Sequence, residues 1–194
     1  PRDDFEQKLA SEEGELWLEK FKQFLRKEGH CWVSGQVTEV VAPRSGLRLL
    51  TPGLIIPATN GMENLSDSAI FPGWVDPDLK KWGCNVESKP KPETTVGVYE
   101  LFENATFQQI FSGQEIGLDQ LCLTPHQIKQ FVITHCTHLH PQGYATFFLS
   151  KVKRNFFVAS VRWVDARRLG VYVSRLSLDF VWFASNRRRF VLPQ

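Results

Sequence analysis

Nowhere do the 194 residues string together the roughly 18 apolar side chains that a membrane-spanning helix needs, and no basic-then-apolar leader is present. Both absences point to a cytoplasmic chain. Cysteine is sparse. Cys31, Cys84, Cys122 and Cys136 are scattered without a CxxC pair, and a chain of this length needs no disulfide staples, so they read as free thiols in a reducing compartment. GxSxG, HExxH, P-loop and GxGxxG patterns are missing as well, which removes the signatures of nucleophile-elbow esterases, zinc proteases and nucleotide-binding folds. After Leu139 even acid is scarce: Asp165 and Asp179 face ten lysines and arginines. The net charge of only +2 therefore hides a basic end on an otherwise acidic chain.

What is present begins with that basic end. Three aromatic-rich runs, 145–152, 156–164 and 169–176, follow one another with short polar breaks and read as an antiparallel β-meander. Side chains alternate between faces along a strand, so cross-strand partners should match in character. That criterion favours a three-residue loop, Lys153, Arg154 and Asn155, over a two-residue one. Phe147 then faces Val161, Leu149 faces Ala159 and Ala145 faces Trp163. A following loop of Ala166, Arg167 and Arg168 adds Val171 opposite Trp163 and Val173 opposite Val161, giving one dry face. The other face carries Thr146, Phe148, Ser150, Phe156, Val158, Ser160, Arg162, Tyr172, Ser174 and Leu176, with Arg162 directly opposite Tyr172.

Upstream, Phe5, Leu9, Leu16, Trp17, Phe21, Phe24 and Leu25 recur at helical spacing over residues 4–28, and Gly29 is a natural stop. Between His30 and Pro92 come short strand signals: Val33, Val37 and Val40, then 47–50 and 54–56. Asp76, Pro77 and Gly83 bracket a helix of one or two turns, and 88–93 is a stiff, exposed connector. The runs 96–102 and 106–111 read as a hairpin about Glu103, Asn104 and Ala105. Thr124 and Pro125 open a helix that reaches about Leu139. The fold expected is α+β: an antiparallel sheet, the C-terminal meander, covered by an N-terminal helix and a mid-chain helix. One domain spans 1–194, divided into a helical lead (1–30), a loop-rich part (31–93), hairpin and helix (94–140) and the basic meander (144–194).

Residues 64–78, the run Leu121-Cys-Leu-Thr-Pro-His-Gln-Ile128, Thr146-Phe-Phe-Leu149 and the closing Arg187-Arg-Arg-Phe-Val-Leu-Pro-Gln194 are similar to a family of short uncharacterised bacterial proteins. The resemblance implies a cytoplasmic bacterial protein and carries no activity, ligand or catalytic residue with it.

Function rests on the meander. Sheets that bind single-stranded nucleic acid offer stacking faces beside phosphate-binding cations, and a basic half is their electrostatic footprint. The expectation is a non-catalytic binding module for RNA or single-stranded DNA. Its site centres on Arg162 and Tyr172, with Lys153, Arg154 and Arg175 at the edge and Phe148 and Phe156 as rings on the same face. A metal-independent endoribonuclease and an interaction module for an unknown protein partner stand as alternatives. His135, Cys136, His138 and His140, with Cys122 and His126, offer imidazole and thiol ligands, but the pairs fall on different helix faces and lack zinc spacing, so no metal or cofactor is expected. Arg187, Arg188 and Arg189 read as solvated charge.

Overall fold

The apolar runs become seven strands: β1 (Leu47–Ile56), β2 (Trp74–Val75), β3 (Thr94–Leu101), β4 (Thr146–Val152), β5 (Asn155–Trp163), β6 (Leu169–Arg175) and β7 (Arg189–Pro193). The computed structural model describes residues 46–194, which lie within one compact unit, Val41–Gln194. The strands form a single sheet in the order β1-β3-β7-β4-β5-β6-β2. Four helices accompany it among the described residues: α1 (Pro77–Lys81), α2 (Phe107–Ser112), α3 (Leu118–Leu121) and α4 (Pro125–Thr134). None of these helices is long and apolar enough to cross a membrane.

The architecture corrects the expected one. The sheet is mixed: β7 runs parallel to β4 and β2 parallel to β6, while the remaining neighbours are antiparallel. Helices cover both faces, not one. The expected helix over residues 4–28 and the strand signal at Val33, Val37 and Val40 lie outside the described residues. β7 is the element that changes the topology. Its Phe190, Val191 and Leu192 are buried on both sides, as suits a central strand read as a continuous apolar run. It sits between β3 and β4 after the chain has crossed over through residues 176–188.

Two cores result. On one face, Ile128, Phe131 and Val132 of α4 pack with Leu65, Phe71 and Leu79 on Val96, Val98, Phe148, Val161, Val171 and Val191. On the other, Phe107, Ile110 and Phe111 of α2 and Leu121 of α3 cover Tyr99, Leu101, Phe147, Leu149, Val158 and Phe190. The second strand of the expected 96–111 hairpin is therefore α2. Thr106 caps it reciprocally: the Gln109 backbone N–H donates to Thr106 Oγ1 at 3.2 Å and the Thr106 N–H to Gln109 Oε1 at 2.9 Å. Thr124 and Gln127 cap α4 in the same way. The two strand signals at 47–50 and 54–56 fuse into β1. Its register with β3 shifts around Thr51, where Pro52 has no N–H to give and Gly53 adopts φ 69°.

The meander keeps its antiparallel order but not its register. Thr146 pairs with Val161, Phe148 with Ala159 and Val152 with Asn155, so the β4–β5 turn has two residues, Lys153 and Arg154. Lys153 takes the positive φ, 55°, that such a turn requires and that glycine or asparagine usually supplies. Phe147 and Leu149 thus lie on the α2 face, opposite Ser160 and Val158. Phe148 lies on the α4 face with Ala159, Val161, Val171 and Val173. Matching by character failed here because β4 is apolar on both faces: Phe147, Phe148 and Leu149 are all at most 1% exposed. In the β5–β6 pair Arg162 faces Gly170 and Tyr172 faces Ser160, so Arg162 and Tyr172 are diagonal neighbours instead of direct partners.

Candidate functional site

The β4–β5 turn projects from one end of the sheet, and a basic cleft forms around it. α1 supplies one wall. Asp76 caps the helix by accepting from Asp78 N–H at 2.9 Å, and Gly83, at φ 69°, ends it so that Cys84 N–H donates to Leu79 O at 2.7 Å. This sharp stop lays Trp82 on Phe157, with ring centroids 5.7 Å apart and planes at 24°, and leaves Lys80 and Lys81 at the rim. A second wall is the 88–93 connector. It is pinned by reciprocal backbone hydrogen bonds between Thr59 and Lys91 at 2.9 and 2.8 Å, and by Ser88 N–H donating to Gly61 O at 2.9 Å. Any Cβ on Gly61 would stand 1.9 Å from the Ser88 carbonyl oxygen, so the close approach requires glycine. Lys89 and Lys91 are thereby held over the same space.

The main hollow encloses about 1110 Å³ and also takes in Lys151, Lys153, Cys122 and the N-terminus of α4 at Thr124 and Pro125. An adjoining hollow of about 440 Å³ shares Trp82, Asn155 and Phe157 with it and adds Arg154, Arg175, Phe156 and Gln108. Together they carry eight lysines and arginines against two carboxylates, Glu87 and Asp119. Lys151 is neutralised by Asp119 and Lys81 by Asp78. The other six cations, Lys80, Lys89, Lys91, Lys153, Arg154 and Arg175, make no ion pair among the described residues. Two cations lie on rings: Arg175 Cζ is 5.4 Å from the Trp82 centroid and Lys151 Nζ 5.0 Å from that of Phe156. The positive end of the α4 dipole adds to the field.

The residues expected to form one site divide into three places. Lys153, Arg154, Arg175 and Phe156 line the cleft. Arg162 and Tyr172 line a separate pocket of about 200 Å³ farther along the α2 face, where Arg162 Cζ stands 4.3 Å from the Tyr172 centroid. Phe148 is fully buried beneath α4 and faces neither space. The cleft lysines 80, 81, 89 and 91 went unnoticed in the sequence because they belong to its acidic part. Their local signals were the Lys-Lys-Trp end of α1 and the Lys-Pro-Lys connector.

The C-terminal arginines are not solvated as a group. Arg189 Nη1 donates to the carbonyls of His138 and Leu139 at 2.8 and 2.9 Å, and burial lowers the pKa of both Arg188 and Arg189. The histidine and cysteine constellation is dispersed. His135 Nε2 donates to Ile55 O at 2.8 Å, Cys122 Sγ donates to Leu118 O at 3.1 Å, and Glu63 N–H donates to His126 Nδ1 at 3.4 Å. Among the described residues no three such side chains are placed to hold a metal ion. Burial, with Asp119 nearby, pushes the Cys122 thiol up to about 12, so this thiol at the cleft wall stays protonated at neutral pH. Set against family models, curated proteins and solved structures, the chain matches none, and the resemblance to short bacterial proteins gains no support from them.

Proposed function

We propose that this chain is a non-catalytic nucleic-acid-binding module that grips the phosphate backbone of single-stranded RNA or DNA in the cleft around Lys153 and Arg154. The observation that carries the reading is the row of six cations that have no carboxylate partner among the described residues, along one continuous concave surface. Like charges gathered at one surface repel unless an anion joins them, and a polyanion can join all of them at once. At about 1110 Å³ the main hollow exceeds the roughly 300–1,000 Å³ of ordinary small-molecule sites, which favours an extended chain over a compact metabolite. The rings contribute differently from the stacking platform expected of the meander. Trp82 packs on Phe157 and carries Arg175, and Phe156 carries Lys151, so these rings fix cations in place. Backbone recognition with little dependence on base sequence follows.

The reading is tested by fluorescence anisotropy of a labelled oligonucleotide over a salt series. If these six cations all meet phosphates, log affinity should fall with log salt at a slope of about −4 for a single strand. Lys153→Ser with Arg154→Ser should flatten that slope by about 1.4. The folded state of the double variant is checked by circular dichroism. Salt-insensitive binding, duplex binding tighter than single-strand binding, or a double variant that binds like the parent chain would each remove the proposal.

A further inference from the structure

The pocket beside Arg162 is a second, differently built space. Phe147, Ser160, Arg162, Tyr172, Trp182 and Arg188 line it. Its floor is apolar: Phe147 is buried, and Trp182 packs on it with centroids 4.9 Å apart. Trp182 is anchored there because its backbone exchanges hydrogen bonds with Ala105, at 2.9 and 3.2 Å, beside the start of α2. Above this floor stand two guanidinium groups. Arg162 lies over Tyr172, and Arg188 Cζ lies 4.7 Å from the Trp182 centroid and 5.5 Å from that of Tyr144.

Neither arginine has a carboxylate partner among the described residues. Arg188 is held by a neutral group: the Asn186 amide oxygen, turned to satisfy its hydrogen bonds, accepts from Nη1 at 2.7 Å and Nη2 at 3.2 Å. The nearest acid in sequence to Arg162, Asp165, is committed to Arg168 at 2.6 Å. A guanidinium has its N–H donors at its edge, in the fork that matches an oxyanion, and a ring against its carbon does not consume them. We infer that this pocket binds a small oxyanion-bearing ligand, a phosphate monoester or a carboxylate, between the forks of Arg162 and Arg188, with the ligand's apolar body against Phe147 and Trp182.

Size supports a small occupant. About 200 Å³ holds roughly seven waters at their liquid share of about 30 Å³, the room of one oxyanion and one ring and too little for a nucleotide chain. Ser160, two residues before Arg162 on β5, adds a hydroxyl to the lining. Burial already works against the charge of Arg188, and an oxyanion beside it would offset that cost. This site is separate from the basic cleft and does not depend on nucleic-acid binding there.

The test titrates the chain with phenyl phosphate, benzoate and inorganic phosphate at constant ionic strength while the arginine Nε–Hε resonances are followed by NMR. Saturable shifts of the Arg162 and Arg188 resonances are expected with phenyl phosphate or benzoate, and the tighter of the two identifies the oxyanion. Inorganic phosphate, which lacks an apolar body, should bind at least about ten-fold more weakly. Arg162→Gln, at an exposed position, should lower affinity by at least about ten-fold, whereas Lys153→Ser with Arg154→Ser should leave it unchanged. No saturation with either aryl probe, equal binding of inorganic phosphate, shifts reproduced by sodium chloride alone, or full affinity in Arg162→Gln would overturn the inference.

Discussion

At the scale of single residues, the contrast between Phe148 and Trp163 shows how one step of register redistributes energy. With the three-residue turn, Trp163 would lie in the dry centre of the meander and Phe148 on the more open face. With Lys153 and Arg154 as a two-residue turn, Phe148 is fully buried and meets the Phe131 ring edge-on at 5.4 Å, while Trp163 at the end of β5 is only partly covered. Phe148→Ala should therefore cost about 3–5 kcal/mol, the range for a buried phenylalanine replaced by alanine. Trp163→Ala should cost less, about 2 kcal/mol, since Trp163 is only partly buried at the edge of that core. Urea denaturation of the two variants checks the ranking. A costlier loss at Trp163 would restore the three-residue register. The same scale explains two of the cleft cations: Trp82 carries Arg175 and Phe156 carries Lys151, each ring holding its cation in place.

At the scale of elements, capping chemistry was the most legible part of the sequence and face-matching the least. Asp76-Pro77 and Thr124-Pro125 each announced a helix start, and both helices are present where the caps place them. Thr106 with Gln109 carried the same signal, but Phe107 and Phe111 beside a turn-like Asn104 resembled a strand, and a six-residue segment is too short for periodicity to decide. The clamp between α4 and the loop before β2 left no sequence signal at all, because its partners are brought together only by the fold. Lys129 on α4 is buried, and its Nζ reaches Glu63 Oε2 at 2.6 Å and Asp67 Oδ2 at 2.7 Å. The hydrogen bond from Lys129 holds both carboxyls below their ordinary values; burial opposes the charge of Lys129, but its hydrogen bonds to Asp67 and Glu63 raise its pKa. Carboxyls depressed in the folded state contribute stability above their unfolded pKa, near 4.5 for Glu63 and 3.8 for Asp67, and lose it as pH falls through the lower folded values. Lys129, raised, contributes below 10.5 and loses that contribution as pH rises through its higher folded value. Melting temperature measured from pH 7 to pH 2.5 should fall on the acid side. In Lys129→Met the whole curve should lie lower and this acid-side loss should shrink. An unchanged acid limb in the variant would show that the clamp does not couple to stability.

At the scale of the whole molecule, the decisive element is the last one made. β7 pairs with Val96–Glu100 of β3 on one side and with Thr146–Phe148 of β4 on the other, so it joins the two halves of the sheet, β1-β3 and β4-β5-β6-β2. Its Phe190, Val191 and Leu192 alternate between the α2 core and the α4 core and are 0% exposed. The run was visible in the sequence, but nothing local could say that it inserts between β3 and β4, because a central position is a property of the assembled sheet. Glycine at Gly97 records that closeness: a Cβ there would meet Gln194 Nε2 at 2.8 Å and the Tyr99 ring at 2.9 Å, so the end of the chain lies against the middle of β3. Without β7, β3 and β4 would each expose an unpaired edge and both cores would lose their central residues. Deleting residues 189–194 should therefore abolish cooperative unfolding across the described unit instead of fraying one end. Calorimetry of the truncated chain should give no sharp transition, with near-ultraviolet circular dichroism largely lost. Arg189→Gln, which removes only the hydrogen bonds to His138 and Leu139, should keep the transition and lower its midpoint by a few degrees, since a lost hydrogen bond to a charged group costs about 1.5–3 kcal/mol. A truncated chain that still melts cooperatively near the parent temperature would mean that β3 and β4 close on each other, and that the final strand decorates the sheet without joining its halves.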